Sequence, residues 1–126
     1  MQLDAIGIVV TEIAPAVAFY RLLGLPFAEP GPDDDHLEVT TAAGVRVMLD
    51  REAMVRGFSD DWVEPRGQRV GLALRCASPA EVDAAYAAVV AAGFRGAKAP
   101  WDAFWGQRYA QVADPDGTKV DLFADL

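Results

Sequence analysis

The sequence predicts an α+β fold made of two βαβββ modules. Three observations lead to this prediction: the order of strand-like and helix-like segments repeats once, each half closes with a hairpin, and the second hairpin contains the turn Asp114-Pro115-Asp116-Gly117. Proline presets φ at about −65° and glycine allows a positive φ, so this turn can reverse the chain between antiparallel strands.

The first module is predicted within residues 1–50. An apolar run at residues 5–11 indicates a strand, and apolar residues at helical spacing between Pro15 and Gly24 indicate a helix. Proline suits a first helical turn and glycine suits the C-terminal end. The remaining strands of this module are predicted at residues 26–30, 36–41 and 45–50, with the last two forming a hairpin.

The second module is predicted within residues 68–126. After a strand at residues 69–76, Ser78-Pro79-Ala80-Glu81 forms a capping box that opens an alanine-rich helix ending at Gly93. The strands that complete the module are predicted at residues 94–98, 107–113 and 118–123.

Residues 51–67 connect the two modules. Structureless connections longer than about 12–15 residues are uncommon in compact domains, so this segment is predicted to be a functional lid or a short extra helix.

Composition predicts one globular domain spanning residues 1–126. The chain has 52% hydrophobic residues and a net charge of −8. This negative charge disfavours binding to nucleic acid and to anionic membrane surfaces, and it favours binding of cationic small molecules. A single cysteine, Cys76, excludes an internal disulfide and a cysteine-based zinc cage. With no signal-like or membrane-spanning stretch, the expected location is cytoplasmic.

Two segments near the C-terminus carry a family resemblance. They are Pro100-Trp101-Asp102-Ala103-Phe104-Trp105-Gly106-Gln107-Arg108-Tyr109-Ala110 and, after the Asp-Pro-Asp-Gly turn, Val120-Asp121-Leu122-Phe123-Ala124. With the two modules, they resemble the vicinal oxygen chelate superfamily, which includes glyoxalase I, extradiol dioxygenases and the bleomycin-resistance proteins. The Trp-x3-Trp-Gly-Gln-Arg-Tyr run is similar to the mitomycin-binding and related antibiotic-sequestering members. The resemblance covers the whole chain and implies half-barrel sheets paired across a homodimer, with each subunit contributing one module to each of two concave pockets.

The resemblance also implies four positions where metal-dependent members carry His or Glu. Here they are Ala5, Met48, Gly71 and Asp121. A first-row divalent ion normally needs three or four protein ligands, and only Asp121 could serve. His36 is the only histidine, which excludes a triad of two histidines and one carboxylate. We therefore expect no metal and no other cofactor.

The alternation of side chains along the strands indicates which residues could line a binding face. In the first hairpin the aliphatic residues should face the helices, which places His36, Glu38, Met48 and Asp50 on the opposite face. The alternative is that these residues simply face solvent. In the second hairpin Asp121 and Phe123 are predicted on the concave face, with Arg108 close enough for an ion pair with Asp121. Alternation assigns Tyr109 and Gln111 to the helix side.

Aromatic residues supply the other candidates. Trp62, Trp101 and Trp105 are predicted outside regular apolar strands, with Phe58 and Phe104 in the same two rim segments. A single tryptophan there could be a core or dimer contact. Together the five rings favour a stacking platform for a planar ligand.

Two functional hypotheses follow. The first, implied by the resemblance, is non-catalytic binding and sequestration of a planar hydrophobic antibiotic in an aromatic-lined pocket at the interface of a homodimer. The second is a metal-independent lyase or isomerase that uses His36 with Asp50 or Glu38, because a carboxylate can tune a histidine to a near-neutral pKa.

Overall fold

The computed structural model describes all 126 residues as two compact units, Met1–Glu64 and Pro65–Leu126. Each unit holds one mixed sheet, with two helices in the first unit and one in the second, which confirms the α+β class. No helix is long and apolar enough to cross a membrane.

The first unit contains a three-stranded sheet and two helices. Its elements are, in chain order, β1 (Ala5–Val10), α1 (Ile13–Leu22), β2 (His36–Thr40), β3 (Arg46–Arg51) and α2 (Glu52–Phe58). β3 is the central strand, parallel to β1 and antiparallel to β2. Helix α2 lies in the predicted connecting segment, so the extra-helix alternative is confirmed there.

The strand predicted at residues 26–30 does not form. Pro26 and Pro30 have no backbone N–H to donate to a ladder, and the backbone between them is held in another way. Phe27 is buried, and its carbonyl accepts a hydrogen bond from the Arg21 guanidinium. The first unit is therefore βαββ, followed by α2.

The second unit contains a four-stranded sheet covered by one helix. Its elements are β4 (Leu72–Arg75), α3 (Pro79–Ala91), β5 (Arg95–Ala103), β6 (Gln107–Ala113) and β7 (Lys119–Asp125), and the strand order is β4-β7-β6-β5. The predicted capping box is present, since the Ser78 hydroxyl accepts a hydrogen bond from the Glu81 backbone and the Glu81 carboxylate accepts one from the Ala77 N–H. This unit has the predicted βαβββ order.

Alternate residues of β6 and β7 form the core beneath α3. Ala110, Val112, Val120 and Leu122 are buried on the side of the helix, together with Val82 of α3. The opposite face of the sheet carries the odd-numbered residues of both strands. We call it the open face of the second sheet.

Strand β5 extends to Ala103 rather than ending at residue 98 as predicted. It pairs only with β6, with register irregularities between Gly96 and Lys98 and between Lys98 and Trp101. A proline is tolerated in an edge strand because its missing N–H faces no partner strand, so Pro100 does not end β5.

Candidate functional site

The predicted polar residues of the first hairpin share one face of the first sheet. His36 lies directly opposite Asp50, and Glu38 lies opposite Met48. The imidazole Nδ1 is 2.6 Å from an Asp50 carboxylate oxygen, and Nε2 is 3.2 Å from a Glu38 oxygen. The hydrogen bond to Asp50, helped by Glu38 and opposed by partial burial, raises the pKa of His36 above 6.5. This arrangement favours an imidazolium that donates to both carboxylates.

Arg46 continues the polar cluster. Its guanidinium contacts Glu38 at 2.8 Å and Asp4 at 2.6 Å. Glu38 is thereby shared between His36 and Arg46, and each base has a carboxylate partner. A histidine whose two ring nitrogens are both bonded has no free nitrogen to remove a proton from a substrate.

An aromatic row crosses the open face of the second sheet. Backbone register aligns Phe123 of β7, Tyr109 of β6 and Trp101 of β5, one beside the next, with Arg75 of β4 at the end. The Tyr109 and Phe123 rings stack with centroids 6.2 Å apart, and the Tyr109 and Trp101 centroids are 5.3 Å apart. We call Phe123, Tyr109 and Trp101 the aromatic row.

Trp105 packs against the aromatic row from the β5–β6 turn. Its ring centroid is 5.4 Å from that of Tyr109 and 6.3 Å from that of Trp101, and its indole N–H donates to the Gln107 side chain. Trp105 is 50% exposed and its neighbour Phe104 is 97% exposed. Trp105 and Phe104 therefore present aromatic surface that the second unit leaves uncovered, next to a row whose three members are half-buried.

A polar row lies beside the aromatic row. Register aligns Asp121, Gln111 and Lys98 across β7, β6 and β5. Asp121 accepts hydrogen bonds from the Tyr109 hydroxyl at 2.9 Å and from the Gln111 amide at 2.8 Å. Burial, the hydrogen bond to Asp121 and the Asp121 charge together raise the pKa of Tyr109 to about 12. The phenol is thus neutral at ordinary pH and holds its ring in place through a fixed hydrogen bond.

Arg108 does not pair with Asp121, and the prediction of that ion pair is wrong. Arg108 shares the parity of buried Ala110 and Val112, so its side chain lies on the side of α3. It forms ion pairs with Asp83 of α3 at 2.9 Å and with Asp102 of β5 at 3.1 Å. The same parity corrects the assignment of Tyr109 and Gln111, which lie on the open face.

The aromatic candidates are divided between the two units. Phe58 ends α2 and is 68% exposed, and Trp62 is half-buried in the segment that follows. The Trp62 indole N–H is buried without a hydrogen-bond partner. Trp101 and Trp105 belong to the second unit, and Trp101 lies within β5 rather than in a rim loop.

The metal positions implied by the resemblance do not fit a metal ion. Met48 lies beside Gly7 in the first sheet, and Asp121 lies beside Ala73 in the second. A thioether and positions without donor atoms do not form a first-row metal site, and the Asp121 carboxylate is already bonded to Tyr109 and Gln111. No group of three or more His, Cys, Asp or Glu residues is arranged to hold a metal.

Comparison with known families identifies the fold. Residues 2–122 match the model of the Glyoxalase/Bleomycin resistance protein/Dioxygenase superfamily. The chain belongs to this superfamily. The match covers nearly the whole chain and agrees with the presence of a mixed sheet with a hairpin in each unit. No curated protein matches the sequence.

Several solved structures share the fold. A glyoxalase/bleomycin resistance protein/dioxygenase from Nocardioides is 25% identical, with a TM-score of 0.75 over 100% of this chain and 84% of that one. A family enzyme from Burkholderia phytofirmans PsJN is 21% identical, with a TM-score of 0.84 over 100% of both chains. TioX from Micromonospora sp. ML1 is 20% identical, with a TM-score of 0.67 over 100% of both chains. The last two similarities show the fold alone.

Sequence reasoning missed three contributors to the open face: Tyr109, Gln111 and Lys98. The available signal was the spacing of Ala110 and Val112. These small apolar side chains can pack closely against an alanine-rich helix, whereas a large aromatic ring cannot. That spacing assigns the even-numbered residues of β6 to the core.

Proposed function

We propose that this protein binds and sequesters a planar, hydrophobic antibiotic without changing it chemically. The observation that carries this proposal is the aromatic row with Trp105 beside it, four rings in contact on one face of the sheet, of which Trp105 is half exposed. Flat aromatic ligands stack on exposed ring surface with little demand for exact register. The sequence resemblance to mitomycin-binding members makes a quinone ring system the first ligand class to test.

The polar cluster of the first sheet supports binding over catalysis. His36, the acid–base candidate of the alternative hypothesis, has a carboxylate on each ring nitrogen. The four positions that the resemblance implies for a metal ion also offer too few donors for Lewis-acid chemistry.

Binding is tested by tryptophan fluorescence and calorimetry against a panel of planar antibiotics and neutral quinones. The proposal predicts saturable binding, with the ligand recovered unaltered after the protein is denatured. A ligand that is recovered as a new compound at catalytic turnover would support the acid–base alternative. Absence of binding across the panel would contradict sequestration.

We also propose that a second copy of the chain covers the aromatic surface in a symmetric homodimer, so that the ligand pocket lies at the interface. Exposed apolar area such as that of Phe104 and Trp105 is rarely left open to water when it is contiguous. Light scattering at micromolar concentration should give twice the chain mass of 13.5 kDa. A monomer at that concentration would remove the basis for an interfacial pocket.

A further inference from the structure

Two adjoining hollows lie at one end of the second unit. The larger, about 340 Å³, is lined by Pro65, Gly67, Gln68, Asp116, Gly117, Thr118 and Lys119, and the smaller, about 230 Å³, by Gln68, Arg69, Val70, Gly71, Gln111, Lys119 and Asp121. The smaller hollow includes two members of the polar row. It therefore adjoins the aromatic row on the same face of the sheet.

Gln68 fixes the wall shared by the two hollows. Its amide nitrogen donates to the carbonyls of Val70 and Lys119, and its amide oxygen accepts from the Lys119 N–H. These three bonds, all made by the Gln68 side chain, tie the irregular segment before β4 to the start of β7. They fix the position of the wall that the two hollows share.

The basic residues of this hollow lack the carboxylate partners found elsewhere in the chain. Six arginines form ion pairs with Asp or Glu: Arg21, Arg46, Arg51, Arg56, Arg75 and Arg108. Arg69 and Lys119, like Arg66 and Arg95, form none, so their charges are free to meet a ligand. Lys98, the third base near the polar row, lies over the Trp101 ring, with its ammonium 3.8 Å from the ring centroid.

The one carboxylate of the smaller hollow is engaged by neutral donors. Asp121 accepts from Tyr109 and Gln111, and Arg69 and Lys119 line the same hollow. The lining of the smaller hollow thus carries two bases and one carboxylate, with Asp116 in the adjoining hollow, in a protein whose net charge is −8. Because exposed charges are screened beyond about 8–10 Å at physiological ionic strength, a ligand group in this hollow responds to these neighbours more than to the distant acidic surface.

We infer that the smaller hollow takes an acidic substituent, a carboxylate, of the planar ligand whose rings stack on the aromatic row. Arg69 and Lys119 then supply the countercharges, and Gln111 fixes the side of the hollow nearest to the rings. The inference rests on the proposed function and narrows it to planar compounds that carry an acidic group. It differs from what the net charge alone predicts, which is a preference for cations.

The inference is tested with three probes that share one ring system: anthraquinone-2-carboxylate, its neutral carboxamide and its cationic aminomethyl analogue. Affinity is measured by fluorescence quenching at low and high salt. Each exposed ion pair contributes little, so we expect the carboxylate to bind about three- to tenfold more tightly than the carboxamide at low salt, with the preference shrinking as salt rises. The aminomethyl probe should bind more weakly than the carboxamide.

Charge-removing variants locate the effect. Lys119→Gln and Arg69→Gln should each weaken binding of the carboxylate more than binding of the carboxamide, so that the preference for the carboxylate falls by about twofold or more. Arg56→Gln removes the same charge from an exposed pair on α2 and should keep the preference. A thermal melt of each variant checks folding, and the carboxamide affinity serves as an internal control.

The outcomes separate this inference from the proposed function. Equal affinity for the three probes, or a carboxylate preference that survives both Lys119→Gln and Arg69→Gln, overturns the acidic-ligand inference and leaves planar-ligand binding intact. Failure of all three probes to bind overturns the acidic-ligand inference, whereas the proposed function is overturned only if the whole antibiotic panel also fails to bind.

Discussion

Replacing Trp105 by alanine should weaken binding of a planar ligand by about tenfold to seventyfold. An enclosed aromatic side chain buries about 200 Å², and Trp105 is 50% exposed, so about 100 Å² remains for a ligand to cover. At about 25 cal/mol per Å², covering half to all of that area contributes about 1.2–2.5 kcal/mol, which corresponds to the stated range.

The assay is calorimetric titration of anthraquinone-2-carboxamide into parent, Trp105→Ala and Trp105→Phe proteins. The phenylalanine variant keeps a ring beside Tyr109 but loses the indole N–H that donates to Gln107, so it should retain most of the affinity. Since half of the Trp105 surface is already packed within the protein, Trp105→Ala should also lower stability by about 1–2 kcal/mol. The titrations should therefore be carried out well below the melting temperature of the Trp105→Ala protein. Unchanged affinity in a folded Trp105→Ala protein would show that Trp105 is structural and that the ligand lies elsewhere.

Two further predictions concern stability. The pKa of His36 is raised by Asp50 in the folded state, so its stabilising contribution should be complete below about pH 6.5 and be lost as pH rises through the folded pKa. The effect should be small because the imidazole is 42% exposed, and a melting temperature that falls no faster with pH in the parent than in His36→Gln would contradict it. Gly96→Ala should destabilise by about 1–3 kcal/mol, because a Cβ there would lie 2.2 Å from the Tyr86 hydroxyl oxygen. Gly71→Ala, whose Cβ would meet nothing within 4 Å, is the matched control, and equal denaturant midpoints for the two variants would refute the close packing of α3 on β5.

Regular alternation made the first hairpin predictable. Leu37 and Val39 alternate with His36 and Glu38, and the register of β2 with β3 places the polar residues together as expected. Which hydrogen bonds they form was not predictable in full, because the sharing of Glu38 between His36 and Arg46 depends on side-chain rotamers that alternation does not specify.

The second hairpin was harder to predict because either of the two alternating sets of side chains in β6 could have faced the helix. Tyr109 is larger than Ala110 and Val112, yet the small pair is buried against the alanine-rich α3, where a bulky ring would not fit. The ion-pair partner of Arg108 could not be predicted from the sequence for a different reason. Asp83 lies on a helix 25 residues away in sequence, and only packing of the helix on the sheet brings the two charges together.

The irregular edge strand β5 has a consequence for how copies of this chain can associate. A regular outer strand offers a row of free N–H and C=O groups to a neighbouring molecule, whereas β5 combines two register irregularities with Pro100. The strand at the other edge, β4, has only four residues. Both borders of the second sheet are therefore poor templates for continued β-pairing between molecules. A chain that leaves several apolar rings exposed on a sheet face is in this way protected against open-ended, fibre-like assembly.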